Sequence, residues 1–207
     1  MSLAQNLIAS LQEVESSFQP DELAYLALTQ KVEHAVRDKL AFKLHQSLSA
    51  VSPELMVCRE WLRADLAVVQ HDRPLLILEA KAVYTFDICK SGAQHPFPEL
   101  VAADLEKAAR WASSAPPESP LETFALVIAT HPHTAPSPQY RQAVKYFGGV
   151  VKYAVESNTY EAACKTMDQK MNHIERIHSC QVKAGRAFGV DVSVFLWLYK
   201  PKSAASP

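Results

Sequence analysis

Two β-type runs, residues 62–69 and 75–81, stand on either side of the polar segment Gln70-His71-Asp72-Arg73-Pro74, and this leaves the chain few local choices. It is the sequence form of an antiparallel hairpin with a loop of about five residues. A hairpin symmetric about Asp72 sets Val69 opposite Leu75 and Asp65 opposite Glu79. Directly opposed residues have Cβ atoms ~5 Å apart, and like charges so placed are destabilising unless something compensates them. A divalent cation is the natural compensation. Glu79 and Lys81, two apart on one strand, project from the same face, while Ala80 turns away and keeps its backbone carbonyl unobstructed.

One face therefore gathers Asp65, Glu79 and Lys81. Carboxylate oxygens suit a hard cation such as Mg²⁺, and an ammonium beside them suits an attacking water and a phosphate, as metal-assisted phosphodiester hydrolysis requires. A Glu-x-Lys triplet alone arises by chance in a chain of this length. Here it ends the run 75–78, apolar enough for burial on both faces, and charges at the end of such a strand border a cleft.

Upstream, Gln19-Pro20-Asp21-Glu22 breaks a first amphipathic helix over residues 3–18 and starts a second that runs to about residue 48. The second carries an apolar stripe through Val32, Val36, Leu40 and Leu44, with Glu33 at its margin. Asp65 and Glu79-Ala80-Lys81, preceded by a helix bearing Glu33, resemble the PD-(D/E)xK superfamily of restriction-endonuclease-like nucleases. The resemblance covers about residues 22–130, as a core helix, a three-stranded meander, a helix and a fourth strand. Ala64 stands where the motif's name has proline.

The resemblance implies a Mg²⁺ site, which Mn²⁺ can share, formed by Asp65, Glu79 and the Ala80 carbonyl. It makes Lys81 the group that positions water and carries the helix glutamate onto Glu33, to hold a second cation, bind a metal water or orient Lys81. The residues' own alternative for Glu33 is a boundary charge paired with Arg37 at i,i+4. Arg37 is a candidate phosphate ligand, as is Arg63, which the symmetric register sets opposite Lys81. Lys107, on a helix expected over residues 99–114, is a third candidate; its competing role is a surface pair with Asp104.

A formal net charge of −1 argues against strong unspecific DNA binding, which draws on Lys and Arg. Local basic clusters over residues 31–48 and 165–186 soften that objection. Four cysteines without a Cys-x-x-Cys pair indicate neither a zinc ribbon nor a disulfide framework. The amino terminus lacks a signal-peptide basic region and the apolar runs are of strand length, so the expectation is a cytoplasmic protein with no membrane segment.

The remaining segments read as a first strand over residues 55–61 and, after Lys81, the run 82–87, whose Tyr84 and Phe86 could stack on a base. A loop with Gly92, His95 and Pro96, a Pro-rich connector at 115–120 and a buried strand at 124–130 follow. His131 and His133 match no zinc spacing. A helix over 139–147, a Gly148-Gly149 turn and a strand over 150–155 suggest a parallel crossover. Asn158-Thr159-Tyr160-Glu161 looks like a capping box opening a helix to about residue 183, whose His173, His178 and Cys180 read as structural. A final edge or helix-covered strand at 190–199 is a candidate dimer contact.

The expected architecture is one α/β domain, a restriction-endonuclease-like mixed sheet flanked by helices. An amino-terminal helix and a carboxy-terminal α/β extension at 131–207 are added to the core. The expected activity is metal-dependent hydrolysis of nucleic acid, DNA by family prevalence, with an inert nucleic-acid- or protein-binding descendant as the alternative. A structural partner docking through the first helix and last strand is a third reading.

Overall fold

The apolar run 75–78 becomes the middle of a long strand, β3 (Arg73–Tyr84), inside a six-stranded mixed sheet. The computed structural model describes residues 1–89, 97–112, 121–154, 159–172 and 174–202. β1 (Leu55–Trp61), β2 (Ala64–Gln70) and β3 form an antiparallel meander, and β4 (Glu122–Pro132) runs parallel to β3. β5 (Ile174–Ala187) and β6 (Val190–Pro201) complete the order β1-β2-β3-β4-β6-β5.

Seven α-helices lie among the described residues: α1 (Leu3–Gln12), α2 (Glu22–Thr29), α3 (Glu33–Ser49), α4 (Thr85–Cys89), α5 (Phe97–Ala112), α6 (Phe147–Tyr153) and α7 (Thr159–Lys170). α1, α2, α3 and α6 pack on the sheet face presented by Leu78, Leu126, Ile128 and Leu196. The opposite face, with Val127, Phe195 and Trp197, receives α5 and α7. Strands covered on both faces are near-continuously apolar, as β4 is over residues 124–129 and β6 over residues 194–199.

Several local expectations yield to tertiary contacts. The second helix is two helices: Gln30 adopts an extended conformation, and the Lys145 N–H donates to the Leu28 carbonyl at 2.7 Å, replacing a partner the helix would have supplied. The first helix ends at Gln12 and tightens into a 3₁₀ turn at Val14–Ser17. β3 stops at Tyr84 and α4 follows, so Tyr84 and Phe86 stack on each other at 4.9 Å as buried core residues and neither is a free platform for a base. Gly148 and Gly149, expected as a turn before a strand at 150–155, lie within α6. Gly149 lets the helix approach Phe86, whose ring a Cβ would meet at 3.3 Å.

The expected long carboxy-terminal helix stops at Lys170, and β5 replaces its second half. Cys180, Val182 and Ala184, half-buried or buried, alternate with polar Gln181 and Lys183, the period of a strand packed on one side. β6, expected at an edge or under a helix, lies between β4 and β5 with both faces covered, and Leu7 and Leu11 of α1 are fully buried in the protein's own core. The loop with Gly92, His95 and Pro96, the connector 115–120, His173 and the first residue of the Asn158 capping box lie outside the described residues.

β5 is tied to the amino-terminal half by Asp21, whose Oδ1 accepts the Arg186 N–H at 2.7 Å. Gly185 sits beside it at φ 96°, where an added Cβ would fall 2.3 Å from that same oxygen. Gly185→Ala is expected to cost about 1–3 kcal/mol of unfolding free energy, read by denaturant titration, since it combines left-handed strain with a clash against the clamp.

Candidate functional site

β2 and β3 join through His71 and Asp72 alone, both at positive φ (47° and 63°), a tight two-residue turn rather than a five-residue loop. Gln70 faces Arg73 and Val69 faces Pro74, so Val69 does not face Leu75. An irregularity between Val68 and Val69 then inserts one residue on the β3 side, and from Val68↔Leu76 to Leu66↔Leu78 the register is that of a hairpin centred on Asp72. Asp65 and Glu79, the next residues, consequently meet, and their carboxyls are in hydrogen-bond contact.

Beyond Leu66 the ladder between β2 and β3 stops, although β3 continues to Tyr84. The backbone donors left on that edge are taken by side chains. Asp65 Oδ2 accepts the Ala80 N–H at 2.7 Å, and Glu33 Oε2 accepts the Ala82 N–H at 3.0 Å. Glu33 is the first residue of α3, where the helix dipole favours an anion. It reaches the sheet rather than pairing with Arg37.

Arg37, one turn further along α3, is only 5 % exposed. Its guanidinium lies 2.9 Å from Asp38, 3.1 Å from Glu60 and 3.8 Å from Asp65. Burial alone would pull the Arg37 pKa down, but the hydrogen bonds and charges of Asp38 and Glu60 outweigh it and raise it. A guanidinium so occupied organises the site and is not a free phosphate ligand. Arg63 is exposed in the Leu62-Arg63 turn between β1 and β2, at φ 77°, and does not face Lys81 across β3.

α5 closes the other side. Lys81 Nζ is 2.5 Å from Asp104 Oδ2, and Lys107 Nζ is 3.4 Å from Glu79 Oε1. Lys107 therefore pairs with the β3 glutamate rather than with Asp104, and Asp104, not singled out from the sequence as a site residue, holds the β3 lysine. Its sequence signal was there: Asp104 and Lys107 lie one turn apart on an amphipathic helix, opposite in charge to a Glu-x-Lys pair on the facing strand. Burial lowers the Lys81 pKa, but the Asp104 hydrogen bond and the charges of Asp104, Glu33 and Asp65 more than reverse this.

Glu79 is the most perturbed acid of the group. Burial, with Asp65 and Asp104 close by, pushes its carboxyl up to about 7 against the pull of Lys107. A proton on Glu79 can then donate to Asp65, which removes the like-charge conflict in the absence of a cation. Among the described residues no three His, Cys, Asp or Glu side chains converge as a ready metal cage. Two acids in contact, one half-neutralised at neutral pH, do fit the one or two carboxylates plus waters that Mg²⁺ ordinarily takes.

His131 and His133 are committed elsewhere. His131 Nδ1 is 2.9 Å from the Thr85 hydroxyl and His133 Nε2 is 2.9 Å from that of Ser193. Burial and the neighbouring His133 pull His131 down to about 4, which keeps it neutral. No helix among the described residues is long and apolar enough to cross a membrane. No family model, curated protein or solved structure matches the chain. The class that fold and site define is thus a mixed α/β protein with a carboxylate–amine cluster where the β2–β3 ladder ends.

Glu79 also makes stability depend on pH. Its folded pKa of about 7 exceeds the ordinary 4.5, so between the two the folded state binds more protons and stability falls as pH rises. Unfolding free energy is expected to drop by something of order 3 kcal/mol from about pH 5 to about pH 8, at about 1.36 kcal/mol per pKa unit. Glu79→Gln should flatten that profile, as denaturant titrations across the range would read.

Proposed function

We propose that the protein is a metal-dependent nuclease that hydrolyses phosphodiester bonds, in DNA by preference, within a restriction-endonuclease-like fold. The observation that carries this reading is the meeting of Asp65, Glu79 and Lys81 at the point where β2 leaves β3, with the two acids in contact. Support comes also from the chain order α3, β1–β2–β3, α5, β4, which is the helix–meander–helix–strand order that the resemblance implies. Asp65, Glu79 and the Ala80 carbonyl would hold Mg²⁺ or Mn²⁺. Such an ion would supply Lewis acidity toward the phosphate oxygens and a bound water more acidic than bulk water.

The chain's own groups do the rest. Lys81, aligned by Asp104, orients the attacking water and stabilises the negative charge that grows on the phosphate as one P–O bond forms and the other breaks. Glu79, with a proton available near neutrality, gives it up when its carboxylate is needed. Glu33 keeps the β3 edge in place, and the exposed Arg63 remains a candidate for the substrate backbone.

A second reading, an inert descendant that binds nucleic acid or protein, is favoured by one feature: Lys81 and Lys107 are both neutralised by site carboxylates. Cation titration separates the two. Calorimetry should find a Mg²⁺ or Mn²⁺ site that Asp65→Ala abolishes, with proton release on binding at about pH 6.5 because Glu79 must ionise. Asp65→Ala and Lys81→Ala should each lower DNA cleavage in Mg²⁺ by about a hundredfold or more. Wild-type cutting by both variants, with contamination excluded, would end the nuclease reading; a chain without a carboxylate-dependent cation site would favour the inert one.

A further inference from the structure

Past Lys81, β3 borders a half-open cavity of about 160 Å³ that none of the chemistry above uses. Its apolar lining is Ala27, Val32, Ala82 and Val83, and two tyrosines make its aromatic corner. Tyr84 is a fixed wall, 6 % exposed, its hydroxyl donating to the Ala27 carbonyl at 2.8 Å. Tyr146 stands edge-on to it with ring centroids 6.1 Å apart and is 54 % exposed. Exposed Lys31 is part of the lining, and Lys145 places its ammonium 5.3 Å from the centre of the Tyr146 ring. Thr130 and Asp87 add a hydroxyl and a carboxylate to the lining.

Size and chemistry narrow the occupant. A protein cavity of about 150 Å³ accommodates a benzene-sized ring, so a single six-membered ring fills this one. Aromatic walls with a few hydrogen-bonding groups and cations alongside suit a nucleobase on its phosphate backbone. The cavity and the site meet at Glu33, on the open edge of β3: Ala82, on the opposite face of the strand from Lys81, gives its N–H to Glu33, and Val32 precedes Glu33. With a net charge of −1 the chain has no large basic excess, so stacking on an aromatic side chain would add affinity to the phosphate contacts of individual lysines.

We propose that this cavity receives one pyrimidine base of a DNA single strand whose phosphodiester lies at Asp65, Glu79 and Lys81. Tyr146 stacks on the base, Lys31 and Lys145 meet the flanking phosphates, and Asp87 accepts from the exocyclic amine of a cytosine. This inference rests on the nuclease reading and names its substrate as single-stranded or locally opened DNA, since a base buried in a duplex must first be unstacked.

The test is fluorescence anisotropy with the full chain in EDTA, using a short labelled oligodeoxycytidylate and the same backbone made abasic. Tyr146→Ala should weaken binding of the oligodeoxycytidylate about tenfold, Tyr146→Phe should restore it, and neither should change binding of the abasic strand. Lys31→Ala, at an exposed position, should weaken both strands and lower the salt dependence. Equal binding of the oligodeoxycytidylate by wild type and Tyr146→Ala, equal wild-type affinity for both strands, or no binding at all would overturn the proposal. Cleavage that is absent or independent of Asp65 would instead overturn the nuclease reading while a Tyr146-dependent base site stood.

Discussion

β3 outlasts its partner. The ladder to β2 stops at Leu66↔Leu78, and two backbone donors, Ala80 N–H and Ala82 N–H, need acceptors on an edge that no strand continues. Buried amides without partners cost of order 1–3 kcal/mol each. Asp65 and Glu33 supply the acceptors, and in doing so bring a β2 acid and an α3 acid to the margin of the β3 face that carries Glu79 and Lys81. The site is a consequence of closing that edge.

Once the acids are gathered, charge balance decides the rest. Glu33, Asp65, Glu79 and Asp104 are answered by Lys81, Lys107 and Arg37, the last almost fully buried. A buried guanidinium is tolerable only when its carboxylate partners are held in place, and removing one would leave an uncompensated charge in a poorly solvated position. Glu60 sits at φ 56° while it holds Arg37, an uncommon conformation for a residue with a side chain, stabilised by what that side chain reaches. Glu79 meets the residual repulsion by keeping a proton to about neutrality. The crowding that a divalent ion would relieve is therefore met by the proton Glu79 keeps and by two lysines.

Asp65, Glu79 and Lys81 were legible together because a strand alternates its side chains and a hairpin has one centre of symmetry. The loop length was misjudged, yet the irregularity at Val68 and Val69 restored the register beyond it, so the pairing of the acids survived an error about the turn. Glu60 was not legible as a site residue, and Asp104 was legible only as a helix neighbour of Lys107. Each comes to the site from another element, and no local spacing in the sequence says which helix turn or which strand end will face β3. The carboxy-terminal half went wrong for a related reason. Residues 174–187 carry enough long polar side chains to pass for a helix, and only pairing with β6 along their whole length makes them a strand.

What the sequence determined alone is the alternation along residues 62–81, the apolar strands of the sheet's interior and the presence of two acids and an amine on one β face, because these follow from side-chain periodicity over a few residues. The break at Gln30, the helical state of Gly148 and Gly149, the interior position of β6, the binding of Arg37 by three carboxylates and the cavity beside Tyr146 were decided by tertiary structure. Each depends on a contact between residues far apart in the chain, such as Lys145 with Leu28 or Phe86 with Gly149, and the free energy of such contacts exceeds the small local preferences they override.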